Sequence, residues 1–388
     1  MKRAAAKTPL PRRKKLLFVF FALLLALLVA GAAGEILVRL LYPRYTVDDL
    51  RAQSLLYRGA IFCRHVLLRE PRVIRDIPHP ESMRIVINAK GFRGGDFAVR
   101  KPAGVTRIVF LGGSAVFGYQ LKGPEADWPH LVQKKLRALG HGYVECLNAG
   151  TPGHASFDVL GRLYSEIHLY SPDWIVFYEC FNDMLYFTWL SPERTLLDGY
   201  EPQPHPDDPR ITYRGRLDRL LCYSQLYTKL RTHYYDRKHS DWRTGVPAQA
   251  AFLRERREEL KAPTEFAFRQ YRLNVALICD AARNIGARTL LLTQARLAGG
   301  PEVSIIETTP WDVLKMDEAT FRAAYACCDT ILREVAAEKG AEFLDVSGEV
   351  SGRPEYFFDI VHLSPAGAER VATLVAEHLD ILLRAEAK

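Results

Sequence analysis

Ser114, Gly153, Asn182, Asp359 and His362 have the types that acyl chemistry needs, and each falls in a turn that could present it. Ser114 follows a β-rich apolar run, Arg107-Ile-Val-Phe-Leu-Gly-Gly-Ser114. A serine hydroxyl is a weak nucleophile until a histidine takes its proton. The histidine in turn needs an acceptor that fixes its tautomer and stabilises the imidazolium. Asp359-Ile-Val-His362 offers such a pair three residues apart, just ahead of Ser364-Pro365. A developing oxyanion needs donors fixed in advance. The Ser114 and Gly153 amides and the Asn182 side-chain amide are the candidates.

Spacing removes three other readings of the glycine-serine turn. A phosphate-cradling loop needs Lys and Ser/Thr after its last glycine, and Gly118 is followed by Tyr119-Gln120. Gly112-Gly113-Ser114-Ala115-Val116-Phe117-Gly118 does not supply the G-x-G-x-x-G of dinucleotide binders. Val116 stands where the nucleophile elbow G-x-S-x-G requires glycine. A plain capping serine in a strand-to-helix turn is the alternative, and the downstream partners weigh against it.

The elements that must position these residues alternate. Ile108 to Leu111 is a continuous apolar run, the pattern of a buried parallel strand. Asp127 caps a helix from Trp128 to Leu139, with Pro129 in its first turn. Further strands are expected at Tyr143–Leu147, Trp174–Glu179, Arg288–Thr293 and Glu342–Val346. Helices are expected from Ser156, as cap, to about Tyr170, and over Thr264–Asn284 and Asp317–Lys339. A last helix starts at Pro365, with Ser364 as its cap. Strands alternating with helices at this spacing form right-handed βαβ units on a parallel sheet. In the flavodoxin-like order 2-1-3-4-5, the loops after strands one and three flank the switch-point crevice, which sets Ser114 beside Asn182.

Four segments in this order resemble the SGNH, or GDSL-type, serine hydrolases. Gly112-Gly113-Ser114 is similar to the family's first block, Asn148-Ala-Gly-Thr-Pro-Gly153 to the second, Asn182-Asp183 to the third and Asp359-Ile-Val-His362 to the last. Asn88 to Arg93 also resembles a segment upstream in larger exported members. The resemblance implies a three-layer α/β/α flavodoxin-like fold with a central parallel five-stranded sheet. It implies a Ser114–His362–Asp359 triad and an oxyanion hole of Ser114, Gly153 and Asn182, with no cofactor and no metal. Two departures stand out. Gly113 replaces the aspartate of Gly-Asp-Ser, and Cys180 stands where the third block usually has glycine, which would narrow the cleft around Asn182. Asp183 is expected to bond structurally, and Arg93 to be exposed or ion-paired rather than to bind an anionic substrate group.

The net charge of +8 in a chain of 388 residues is concentrated at one end. Lys2, Arg3, Lys7, Arg12, Arg13, Lys14 and Lys15 precede any acid, and the remaining 46 basic residues nearly balance 45 acidic ones. A near-neutral body without a basic stripe excludes nucleic acid as a partner. The basic tail, 1–15, leads into Leu16 to Gly34, nineteen residues without a charge. That is enough to cross a bilayer as a helix, with the amino terminus cytoplasmic and the body periplasmic or otherwise outside. The alternative is a signal peptide cleaved near Ala30-Gly31-Ala32. Residues 35–104 read as a juxtamembrane stalk and lead-in, with a helical pattern at Val47–Tyr57 and a short strand near Ile85. The hydrolase domain would fill 105–388.

An insertion at about 190–263 interrupts the strand-helix rhythm. It is proline-rich at Glu201–Pro209, helical and tyrosine-rich from Leu217 to Tyr235, and expected to act as a lid or substrate surface. Its aromatics would stack on sugars or, more simply, glue the insertion to the domain. Seven cysteines, an odd number without C-x-x-C, read as mostly buried small hydrophobes with room for one disulfide. Together these features lead to an expected membrane-anchored serine esterase acting on an acyl, most plausibly O-acetyl, ester of an envelope glycan or lipid. The rivals are an O-acyltransferase, which an acyl-donating membrane partner would fit, and a non-catalytic binding module.

Overall fold

The computed structural model describes residues 11–41, 72–75, 84–88, 90–118, 121, 123, 125–188, 190–193, 215–238, 258, 260–298 and 314–386. The Val47–Tyr57 pattern, Cys63, the proline-rich stretch 201–209 and most of the loop before Met316 lie outside them. The chain divides into two units. One comprises Met1–Arg51 and His205–Ser240, the other Ala52–Pro204 and Asp241–Lys388.

The larger unit is the α/β domain. A short antiparallel pair, β1 (Arg72–Arg75) and β2 (Arg84–Ile87), precedes it. The central sheet holds β3 (Thr106–Gly112), β4 (Val144–Asn148), β5 (Trp174–Tyr178), β6 (Arg288–Leu292) and β7 (Glu342–Leu344). Its order is β4-β3-β5-β6-β7 and every pairing is parallel, the 2-1-3-4-5 order expected. β3 therefore has β4 on one side and β5 on the other, and the crevice opens at its carboxyl end.

Period-two alternation along the strands builds the two faces. Val109, Leu111, Ile175, Phe177 and Leu291 point into one core, with Val159, Leu163, Val275, Ile278 and Tyr325. Ile108, Phe110, Trp174, Val176 and Leu290 point into the other, with Trp128, Val132, Leu136, Val371 and Val375. The first face is covered by α4 (Ser156–Ser165), α8 (Glu265–Asn284) and α9 (Glu318–Lys339). The second is covered by α3 (Trp128–Ala138) and α11 (Pro365–Glu386). Helix–sheet–helix is the three-layer architecture anticipated. The expected cap holds at α3, where Asp127 accepts from the His130 amide, and Thr264 and Asp317 likewise cap α8 and α9 by accepting from the amides of Ala267 and Thr320.

The cap of α4 differs from expectation. Ala155 occupies the N-cap, and Ser156 is the first helical residue because its amide and hydroxyl both bond Asp183. A carboxylate from a distant strand end outcompetes the local helix terminus for that hydroxyl.

The smaller unit is helical. α1 (Arg12–Leu41) is long and apolar enough to cross a membrane. The tyrosine-rich stretch resolves into two helices, α6 (Arg216–Leu221) and α7 (Gln225–Lys238).

Candidate active site

β3 ends in two glycines for a steric reason. A Cβ on Gly112 would lie 2.2 Å from the Tyr178 carbonyl oxygen, and one on Gly113 would lie 2.3 Å from Glu179 Oε2 and 2.4 Å from Asn182 Nδ2. Only glycine lets β3 turn this close to the end of β5. Ser114 is then the first residue of α2 (Ser114–Phe117), a single turn that stops at Gly118 with φ +76°.

The structure brings three of the five expected residues into one relay. His362 Nε2 lies 2.8 Å from Ser114 Oγ, and His362 Nδ1 lies 2.6 Å from Asp359 Oδ2. The histidine turn is braced on both sides. Asp359 Oδ1 accepts from the Val361 and His362 amides, and the Phe358 amide donates to the His362 carbonyl. The Leu297 amide, beyond β6, donates to the Ile360 carbonyl. Burial pushes the Asp359 carboxyl up, but the His362 charge and these hydrogen bonds outweigh it and hold the group below its ordinary range. An ionised carboxylate favours the tautomer with the proton on Nδ1, which leaves Nε2 as the acceptor facing the Ser114 hydroxyl.

The other two expected residues border the same turn. Asn182 opens the short α5 (Phe181–Met184), is buried, and donates through Nδ2 to the His154 carbonyl at 2.9 Å. Its amide nitrogen carries a second proton for another acceptor. Gly153 precedes His154 at φ +82° and is half-buried, so the Asn182 side chain ties the Gly153 loop to the turn after β5.

Several supporting residues carry less signal in the sequence. Glu179 is fully buried at the end of β5. Its Oε2 accepts from the Gly113 amide at 2.8 Å, and its Oε1 accepts from the Cys180 and Asn182 amides at 3.0 and 2.9 Å. One carboxyl thus joins the turn before Ser114 to the turn bearing Asn182. Burial raises its pKa to about 8. Asp183, as expected, bonds structurally, taking the Ser156 amide and hydroxyl, and burial raises it to about 7.

Arg93 is ion-paired rather than available to an anionic substrate. It is 2% exposed, its Nε lies 3.0 Å from Asp127 Oδ2, and its two Nη atoms donate to the carbonyls of Phe117, Gly118, Leu121 and Gly123. Asn148 adds bonds to the Val116 carbonyl and to Asp127. These groups fasten the chain that follows Ser114. Cys180 does not narrow the cleft. It is fully buried in the core beside Cys328, so the side chain that replaces glycine is spent on packing.

A family model described as GDSL-like lipase/acylhydrolase matches residues 110–370. No curated protein matches the sequence. Among solved structures, the acetyl xylan esterase AlAXEase aligns at 14% identity and a TM-score of 0.40, covering 70% of this chain and 98% of that one. TesA aligns at 16% identity and a TM-score of 0.40, covering 71% and 98%. An Axe2 acetyl-xylooligosaccharide esterase variant from Geobacillus stearothermophilus aligns at 14% and 0.41, covering 71% and 94%.

Proposed function

We propose, for a chain that belongs to the GDSL-like lipase/acylhydrolase family, that it is an exported, membrane-anchored serine esterase. The observation that carries this reading is the unbroken chain of hydrogen bonds from Ser114 Oγ through the His362 ring to Asp359. Ser114 Oγ attacks the acyl carbonyl carbon as its proton passes to His362 Nε2, and Asp359 stabilises the imidazolium so formed. The tetrahedral oxyanion is met by the amides of Ser114 and Gly153 and by the second Asn182 Nδ2 proton. Collapse expels the alcohol, which takes the proton from His362. Water, activated by the same imidazole, then releases the acid from the acyl-enzyme.

The substrate is an acyl ester, in the first place O-acetyl, on a glycan or lipid outside the cytoplasm. The basic tail ahead of α1 supports a cytoplasmic amino terminus and an exported domain. That α1 runs unbroken past Ala30-Gly31-Ala32 to Leu41 supports an anchor retained rather than cleaved.

The test is turnover of p-nitrophenyl acetate by the full-length protein in detergent, with Ser114→Ala beside it. Loss of turnover and of fluorophosphonate labelling in Ser114→Ala is expected, and full activity in that variant overturns the reading. Free acetate as the product, with none carried to an added glycan, makes water the acceptor. Transfer to the glycan would instead identify an O-acyltransferase.

A further inference from the structure

α6 and α7 sort their side chains the wrong way round for a hairpin in water. Asp218 of α6 and Arg231 of α7 are buried against each other, with Nε and Nη2 of the arginine both 2.9 Å from the carboxylate. Tyr227 adds its hydroxyl to Asp218 at 2.9 Å, and among the described side chains of α7 the other buried positions are Gln225 and Thr228, with Cys222 buried in the turn before them. Outward instead stand Leu217, Leu220 and Leu221, at helical spacing i, i+3 and i+4, followed by Tyr223. Leu217, Leu220 and Tyr223 are 68%, 65% and 79% exposed. Single exposed leucines need no explanation, but a contiguous apolar patch over a polar interior does.

A second observation says what covers the patch. Glu35 is the first charged residue after the nineteen uncharged ones of α1. Its carboxylate accepts from the Ser224 hydroxyl at 2.6 Å and from the Gln225 and Leu226 amides at 3.0 and 2.9 Å, so it caps the start of α7. Arg39, one turn on, holds the same carboxylate at 2.7 Å. Gly34 makes the approach close, since a Cβ there would lie 2.9 Å from a Leu226 methyl carbon. The turn between α6 and α7 is therefore pinned to the level at which the apolar span of α1 ends.

We infer that α6 and α7 form a foot lying in the boundary between headgroups and acyl chains of the bilayer that α1 crosses, with Leu217, Leu220, Leu221 and Tyr223 facing lipid. The inference rests on the anchored reading of α1. A tyrosine suits that depth because its ring is apolar and its hydroxyl polar. Arg216 stands just before the leucines and reaches phosphate groups while its stem stays in the apolar layer. The buried Asp218–Arg231 pair spares the foot an uncompensated charge near hydrocarbon. The middle of the insertion is thus a membrane contact.

The test reconstitutes the full-length protein in vesicles of phosphatidylcholine and phosphatidylglycerol doped with a phospholipid carrying a diazirine in its acyl chain. Adducts are mapped after illumination. Adducts in both 16–34 and 217–223 are expected. Adducts in 16–34 alone overturn the foot and leave the anchor standing, whereas adducts in neither overturn both. The pair Leu217→Glu and Leu220→Glu should cut adducts in 217–223 several-fold, with those in 16–34 and the turnover of p-nitrophenyl acetate unchanged. A shift in oligomeric size in that variant, without lipid adducts at 217–223 in the parent, would make a second copy the occupant and overturn the inference.

Discussion

In the α/β domain, Leu111 is fully buried and the charged network around Arg93 and Asp127 is enclosed where it fastens the chain after Ser114. In the helical unit, Asp218 and Arg231 are also enclosed, though less completely, while Leu217 and Leu220 stand outside. Both regions bury an ion pair, so burial of charge alone does not distinguish them. What differs is the surface each leaves exposed. On the membrane-foot reading the helical unit is finished for something less polar than water, whereas the buried charges of the α/β domain brace the candidate site.

The largest effect that would break this contrast is on turnover. Ser114→Ala should lower kcat/KM for p-nitrophenyl acetate by about 10³ to 10⁶-fold. Arg231→Met, which opens the buried pair of the helical unit, should leave that constant within about twofold, because its partners are hydrogen-bonded within α6 and α7 and touch no reacting atom. Equal losses in the two variants, measured by steady-state kinetics in the same detergent, would erase the distinction.

Stability sharpens it next. Arg93→Met leaves Asp127 buried with only His130 and Asn148 beside it, removes the bonds to four carbonyls, and should cost about 3–5 kcal/mol. Thermal unfolding followed by circular dichroism reads this as a clear fall in Tm, and an unchanged Tm would mean that the network holds nothing. A smaller and more direct comparison sets two leucines side by side. Leu111→Ala should cost about 2–5 kcal/mol, from lost burial and the cavity left behind. Leu217→Ala should stay within about 0.5 kcal/mol in detergent solution, since its side chain touches little of the fold.

The smallest effect is a slope against pH. Glu179 has its pKa raised from 4.5 to about 8, and Asp183 from 3.8 to about 7, burial being the first cause for each. Both groups hold protons in the folded state that the unfolded chain has already released. Their contribution to stability is therefore complete below about pH 4 and is lost as pH rises through about 7 to 8. Tm should fall between pH 5 and pH 8.5 in the parent, and Glu179→Gln should flatten the upper part of that fall. An identical slope in the two proteins would mean that Glu179 stays ionised in the fold.

Much of the domain was legible because its signals are local. A continuous apolar run marks β3, an aspartate before Trp128 marks the start of α3, and Ser364-Pro365 marks the start of α11. The Asp359–His362 pair was legible for the same reason, since a separation of three residues can close within one turn. Bringing it to Ser114, 248 positions away, needed the strand order as well, and the alternation of elements supplied that. Residues whose meaning depends on a distant partner were not legible. Glu179 reads as the polar end of a strand until Gly113 is folded against it, 66 positions away. Ser156 looks like a cap until Asp183 takes its hydroxyl. Glu35 looks like the ordinary first charge after an apolar span, and its hold on Ser224 crosses 189 positions.

Glu179 sets its carboxyl against Gly113, where an added Cβ would lie 2.3 Å from Oε2. An acid at position 113 would have to push that carboxyl away from the Gly113, Cys180 and Asn182 amides, so at this turn the acid of a Gly-Asp-Ser pattern and the acid at the end of β5 stand in each other's way.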